Sequence, residues 1–132
     1  MGINPLYSIF QHSAELLSAG AGSAPTQVSL LYSAATAEEL IFRSNIEEHC
    51  SKLDTFQAEF FVTREKSEGG EREVNYRRLT KADLEKALSV REGRRERTVC
   101  YLCGPPDMVD QLRAWLLQLN ITEENIRYEL WW

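Results

Sequence analysis

Thr98-Val99-Cys100-Tyr101-Leu102-Cys103-Gly104-Pro105-Pro106-Asp107-Met108 constrains this 132-residue chain more than any other stretch. Thr98 to Cys103 is a short apolar run rich in strand formers, and Gly104 and Pro105 stop it abruptly. Pro106 suits the first helical position, where its missing N–H is not needed. Met108, Val109, Leu112, Trp115, Leu116 and Leu119 then recur at helical spacing. The pattern predicts a buried strand feeding a helix over about 106–120. In a parallel α/β sheet, the carboxyl ends of the strands and the first turns of the following helices form the ligand crevice. Cys103 and Gly104 are therefore expected on its floor, with Gly104 leaving the backbone open to close approach and the helix start presenting free N–H groups.

The rest of the chain alternates between the same two kinds of element. Asn4 is expected to cap a helix whose first position is Pro5, with Leu6, Ile9, Phe10, Leu16 and Leu17 as its apolar stripe. Gly20 to Pro25 breaks it, and Val28, Leu30, Leu31 and Tyr32 predict a strand buried on both faces. Thr36 and Glu39 have capping-box spacing, opening a helix with Leu40, Ile41, Ile46, Cys50 and Leu53 inward. Phe56 to Thr63 alternates as a strand, and Arg64 to Glu73 is a charged loop. Thr80 and Asp83 start a short helix through about Ser89. Asn120 is a left-handed stop, 122–125 a turn, and Ile126, Tyr128, Leu130 and Trp132 alternate as a closing strand. Such alternation predicts one doubly wound, mostly parallel sheet with helices on both faces, in a single domain over residues 1–132.

Charge and cysteine usage narrow the function classes. A formal net charge of −5 disfavours a nucleic-acid surface, and the basic cluster Arg91, Arg94, Arg95 and Arg97 reads as a solvated loop. No apolar run approaches the ~20 residues of a membrane-spanning helix. Three cysteines, Cys50, Cys100 and Cys103, suit a reducing compartment better than a disulfide framework; separately, the expected location is intracellular, mitochondrial or cytoplasmic. Cys100 and Cys103 have the spacing of a redox or zinc pair, but three apart on a strand they point to opposite faces, ~10 Å apart. His12 and His49 fall in helical stretches without ligands at useful spacing, so no metal site is expected.

Leu102-Cys103-Gly104-Pro105-Pro106-x-Met108 resembles the C-G-P-P-x-M signature of the ferredoxin reductase and cytochrome b5 reductase superfamily. Gly2-Ile3-Asn4-Pro5 resembles the end of that family's G-G-x-G-x-x-P nicotinamide loop, and Tyr32-Ser33-Ala34-Ala35-Thr36-x-x-Glu39-Leu40-Ile41-Phe42 resembles its second strand and helix. The three stand in the family's order and span nearly the whole chain. The resemblance implies a Rossmann-like domain that binds a nicotinamide dinucleotide. Gly2, Ile3, Asn4 and Pro5 would face the phosphates and nicotinamide side. Ser33, Thr36, Thr63 and Arg64 would lie at the adenosine end, and Gly104, Pro105, Pro106 and Met108 would line the nicotinamide pocket. Cys103 would position the ring for hydride transfer, a role that needs no activated thiolate because the cofactors carry the chemistry.

The resemblance also implies hydride exchange with FAD, held by a separate upstream barrel domain, before electrons pass to an unknown acceptor. Trp131 and Trp132 end the chain where the family places an aromatic near the flavin. The family's first strand is missing ahead of Gly2, so the chain is expected to be an N-terminally truncated domain, inactive alone. In the family order 3-2-1-4-5 that strand is central, and its loss separates the strands at 28–32 and 56–63 from those at 98–103 and 126–131. Ala35 at the second strand's tip favours NAD, whereas Thr63-Arg64 resembles a pair that some members use for the 2′-phosphate of NADP. Two other classes stand beside this one: a non-catalytic nucleotide-binding or protein-interaction module, and a flavodoxin-like FMN carrier, disfavoured because no Ser/Thr-rich loop opens the first helix.

Overall fold

The computed structural model describes residues 3–20, 27–65, 74–89 and 97–130, with backbone alone at 3–5 and 130. They form two compact units, one of Tyr7–Leu79 and one of the described residues from Thr80 onward together with those up to Leu6. Helix α1 runs Ile3–Ser18, with most of its length in the first unit. Asn4 and Pro5 lie inside it, which corrects the expected cap and first position.

The first unit is a parallel sheet ordered β1-β2-β3, from Val28–Ala34, Phe56–Val62 and Val74–Asn75. β1 and β2 pair in unbroken register from Val28↔Phe56 to Ala34↔Val62. β1 is the sheet's edge and only Leu30 and Tyr32 are buried on it, so the expectation of burial on both faces fails where a strand has one neighbour. β2 is central, and its carboxyl half, Phe60, Phe61 and Val62, is buried throughout, with Phe61 at 0% exposure. The two-residue β3, with no counterpart in the sequence pattern, pairs Phe60↔Val74 and Phe61↔Asn75, and Asn75 Nδ2 donates to Phe60 O at 3.1 Å.

Helix α2 begins only at Arg43 and ends at Lys52, burying Ile46. A 3-10 turn, Ala37–Glu39, stands where the helix start was expected, and Ile41, assigned inward, is 63% exposed. Phe10 of α1 meets Phe56 edge-on with centroids 5.3 Å apart, and Tyr7 stacks on Phe42 at 4.2 Å. On α1 the buried residues are Phe10 and Ala14, while Ile9 is exposed. His49 packs edge-on to Phe10 and is half-buried, whereas His12 is exposed.

The second unit holds α3 (Lys81–Ser89), β4 (Cys100–Gly104), α4 (Pro106–Gln118) and β5 (Ile126–Leu130). Asp83 Oδ2 accepts from Thr80 N at 2.7 Å and Thr80 Oγ1 at 2.9 Å, tying off the start of α3. Pro106 opens α4, which buries Val109, Leu112 and Leu116. The helix ends as predicted: Asn120 takes φ 70°, and Ile121 N donates to Leu116 O at 3.0 Å, the bond pattern of a left-handed stop. β4 and β5 pair in parallel from Cys100↔Ile126 to Gly104↔Leu130. Tyr101 and Tyr128 are exposed at 41% and 51%, so neither strand is buried on both faces along its length.

The described strands thus form two parallel sheets and not the single sheet that alternation alone predicts. Their grouping, β1 and β2 in one and β4 and β5 in the other, is the one left when the first strand is taken out of the order 3-2-1-4-5.

Candidate functional site: the carboxyl ends of the strands

In the second unit, β4 delivers Cys103 and Gly104 to its carboxyl end, both buried, and the chain turns through the exposed Pro105 into Pro106. Pro105 takes φ −59° and ψ 152°, the extended geometry that its ring and the following proline impose. The turn is therefore stiff by composition. Met108, half-buried one turn in, folds back so that its Sδ lies 3.0 Å from where a Cβ on Gly104 would be. Glycine leaves room here for the methionine, whose thioether lies on the side of Gly104 that a Cβ would take. Cys50, Cys100 and Cys103 form no disulfide among the described residues. Asp107 places an exposed carboxylate in the first turn of α4, where a helix start welcomes negative charge.

In the first unit, the β1–β2 ladder continues past both strands. Thr63 N donates to Ala34 O at 3.1 Å and Arg64 N to Ala35 O at 3.0 Å. A third link follows, from Ala37 N to Glu65 Oε1 at 2.6 Å. Thr36 is extended, at φ −131° and ψ 160°, and its hydroxyl makes no cap bond. The capping box predicted from Thr36 and Glu39 is thereby corrected, and a carboxylate from the next strand's end takes an N–H at the start of this turn. Tyr32 secures the same turn from below, its hydroxyl donating to Glu39 O at 3.0 Å. Burial, opposed by a backbone hydrogen bond and reinforced by the charge of Glu39, pushes that phenol above its ordinary range.

The expected site residues fall as follows. Cys103, Gly104, Pro105, Pro106 and Met108 come together at the end of β4; Ser33, Thr36, Thr63 and Arg64 come together at the ends of β1 and β2. Ser33 and Thr36 are half-buried, Thr63 and Arg64 exposed. Ile3, Asn4 and Pro5 lie in the first turn of α1, whereas Gly2, Trp131 and Trp132 lie outside the described residues, as do Arg91, Arg94 and Arg95. Glu65, whose carboxylate bonds beside this cluster, was not singled out by sequence, because nothing local distinguishes it within its charged loop. Among the described residues, no group of acidic, histidine and cysteine side chains could hold a metal, and no helix is long and apolar enough to cross a membrane. A cavity of about 360 Å³ lined by Glu47, Cys50, Ser51, Ala58 and Phe60 opens beside α2, on the flank of the sheet and away from the strand ends.

Parallel strands, helices between them and a glycine-proline turn at a strand's carboxyl end define the class: a Rossmann-like nucleotide-binding α/β protein. The model of the oxidoreductase NAD-binding domain family matches residues 1–114. The chain belongs to that family. Oxidoreductase NAD-binding domain-containing protein 1 of Danio rerio is 34% identical over 138 residues, covering 100% of this chain and 49% of the relative. Its Homo sapiens counterpart is 30% identical over 140 residues, covering 100% and 43%. The chain thus spans about half the length of the curated relatives it matches. Among solved structures, the flavohem-like FAD/NAD-binding domain of a Vibrio cholerae nitric oxide dioxygenase superposes with a TM-score of 0.70 at 18% identity, over 98% of this chain and 47% of that one. The CS-b5R domains of human Ncb5or, in an NAD+ form, give 0.69 at 22%, over 96% and 33%. These two likenesses concern the fold alone.

Proposed function

We propose that this chain is the nicotinamide-dinucleotide-binding part of a flavin-dependent oxidoreductase, exchanging hydride between NADH and an FAD carried by another domain of a longer protein. The observation that carries it is the Cys103-Gly104-Pro105-Pro106-x-Met108 turn at a strand's carboxyl end, in a chain of this family. The residues fit a nicotinamide: a buried thiol at the strand's tip, a stiff Pro-Pro turn to hold it, a thioether packed on the glycine, and the Asp107 carboxylate nearby to complement an oxidised, cationic ring. The redox chemistry belongs to the cofactors. Cys103 orients the ring, Met108 and Gly104 shape the pocket, and Ser33, Thr36, Thr63 and Arg64 are the proposed adenosine-side contacts. Ala34 and Ala35 at the tip of β1 bring no cation, which favours NAD over NADP.

Stopped-flow reduction of the flavin by NADH in the full-length protein, with wild type against Cys103→Ala, tests this reading. The variant should slow reduction at least about tenfold while shifting the NADH dissociation constant less than about threefold, because an orienting contact acts mainly in the transition state. An unchanged rate reduces Cys103 to packing, and failure of calorimetry to detect NADH or NADPH binding removes the oxidoreductase reading. Exposed Tyr101 and Tyr128 on β4 and β5 favour the alternative in that event, a protein-interaction module.

A further inference from the structure

We propose that β5 is a self-pairing edge, along which a second copy of this chain adds its own β5 in antiparallel order and joins the two β4–β5 sheets into one. Among the described strands β5 pairs with β4 alone, and Arg127, Tyr128 and Glu129 along it are exposed. A strand with one neighbour presents a row of backbone N–H and C=O groups on its other side, which water or another strand must satisfy. Proteins commonly blunt such an edge with lysine, proline or a bulge. The five residues of β5, IRYEL, include neither lysine nor proline, and the register with β4 runs unbroken from Cys100↔Ile126 to Gly104↔Leu130.

The charges on β5 select a second copy as the partner. Side chains alternate along a strand, so Arg127 and Glu129 share one face and Tyr128 takes the other. Arg127 lies against Tyr101 of β4, its guanidinium 5.9 Å from the ring centroid and Nη1 donating to the phenol oxygen at 3.4 Å, which keeps it on that face with donors to spare. When two copies extend one sheet about a two-fold axis normal to it, facing residues must share a face, so the axis lies level with a residue and not between two. Centred on Tyr128, the pairing sets Arg127 opposite Glu129 of the second copy, twice over, and Tyr128 opposite its own counterpart. Centred on Arg127 or on Glu129, it sets like charges opposite each other. Facing residues in an antiparallel pair are about 4.5–5.5 Å apart at Cα, where opposite charges and paired aromatics stabilise and like charges repel. The sequence of β5 is therefore self-complementary in one register, and its charges disfavour the adjacent ones. Five residues make a short contact, so the expected dissociation constant is about 10–100 µM, at the weak end of specific interfaces.

Sedimentation velocity of the chain up to about 500 µM, for wild type, Arg127→Glu, Glu129→Arg and the double reversal, tests the proposal. Wild type should dimerise, and each single reversal should weaken the dimer by about tenfold or more, because both facing pairs become like-charged. The double reversal exchanges the two charges, keeps each facing pair opposite and should associate within about threefold of wild type. An equimolar mixture of the two single variants should do the same as a heterodimer, since an all-acidic strand then faces an all-basic one. Added salt should weaken the wild-type dimer, as exposed charges are screened. Both positions are exposed, so circular dichroism should show each variant folded as wild type. A wild type that stays monomeric at about 500 µM overturns the proposal. A dimer that both single reversals leave unchanged also overturns it, placing the contact elsewhere on the chain. So does a loss on single reversal that neither the double reversal nor the mixture recovers.

Discussion

Gly104→Ala puts a methyl group at the spot where Met108 Sδ already lies 3.0 Å away. Optimal separations between nonbonded carbons are about 3.5–4.0 Å, so the thioether must withdraw by several tenths of an ångström. Methionine bends at three torsions and Met108 is half-buried, so the withdrawal should cost about 0.5–1.5 kcal/mol, the range of a distorted rotamer, and not the ~3 kcal/mol of a rigid overpacked core. Against that, Gly104 lies in a strand outside the left-handed region, where alanine restricts the unfolded chain and stabilises by about 0.4–1 kcal/mol. The two effects nearly cancel. The net change should fall between about 0.5 kcal/mol of stabilisation and about 1 kcal/mol of destabilisation. In a Met108→Ala background the obstruction is gone, and the same substitution should stabilise by about 0.4–1 kcal/mol. Urea denaturation of the four proteins completes a double-mutant cycle, with an expected coupling of about 0.5–1.5 kcal/mol. Equal effects of Gly104→Ala in both backgrounds would refute the packing of Met108 on Gly104, and a loss above about 3 kcal/mol would show that backbone, not a flexible side chain, meets the methyl.

Two further outcomes are open to measurement. Asp83→Ala strips two donors on Thr80 of their acceptor at a part-buried helix start and should cost about 1–2 kcal/mol in denaturant titration, whereas the exposed Glu85→Ala should stay within about 0.5 kcal/mol. Burial first, and the charge of Glu47 second, push the Cys50 thiol above its ordinary range. Its contribution to stability is therefore complete below the unfolded thiol's pKa of about 8.5 and is lost as pH rises through the higher folded value. Alkylation of Cys50 in the native protein should lag that of a model peptide across the same alkaline range; matching profiles would refute the shift.

Residues whose partners are a few positions away kept the roles that sequence gave them. Pro106 opens a helix, Thr80 and Asp83 tie off another, and Asn120 turns left-handed, all because the deciding contacts lie within one helical turn. Thr36 and Glu39 show where that logic stops: the spacing was right, but the segment closes as a 3-10 turn in which Glu39 N bonds to the Thr36 carbonyl and the Thr36 hydroxyl makes no cap bond. β3 escaped notice because two residues carry no period, and only pairing with Phe60 and Phe61 makes Val74 and Asn75 a strand. Ile41 was expected inside and Tyr101 lies in a strand expected to be buried, yet both are exposed, since hydrophobic identity says that a residue is suited to a core and not that a neighbour arrives to cover it. At the candidate site the motif residues at the end of β4 were legible as a group. The packing of Met108 on Gly104 and the anchoring of Glu65 were not, because both are tertiary contacts.

The abrupt change along β2 has a consequence for binding. Phe60, Phe61 and Val62 are buried, with Phe61 sealed completely beneath the Arg77 guanidinium at 5.3 Å, and the next three residues, Thr63, Arg64 and Glu65, are exposed. The tip is thus mounted directly on the most enclosed part of the sheet. Its backbone loses most of its freedom when the sheet folds, so a ligand arriving there has little further order to impose, and the entropy that a mobile loop would surrender on binding has already been spent in folding.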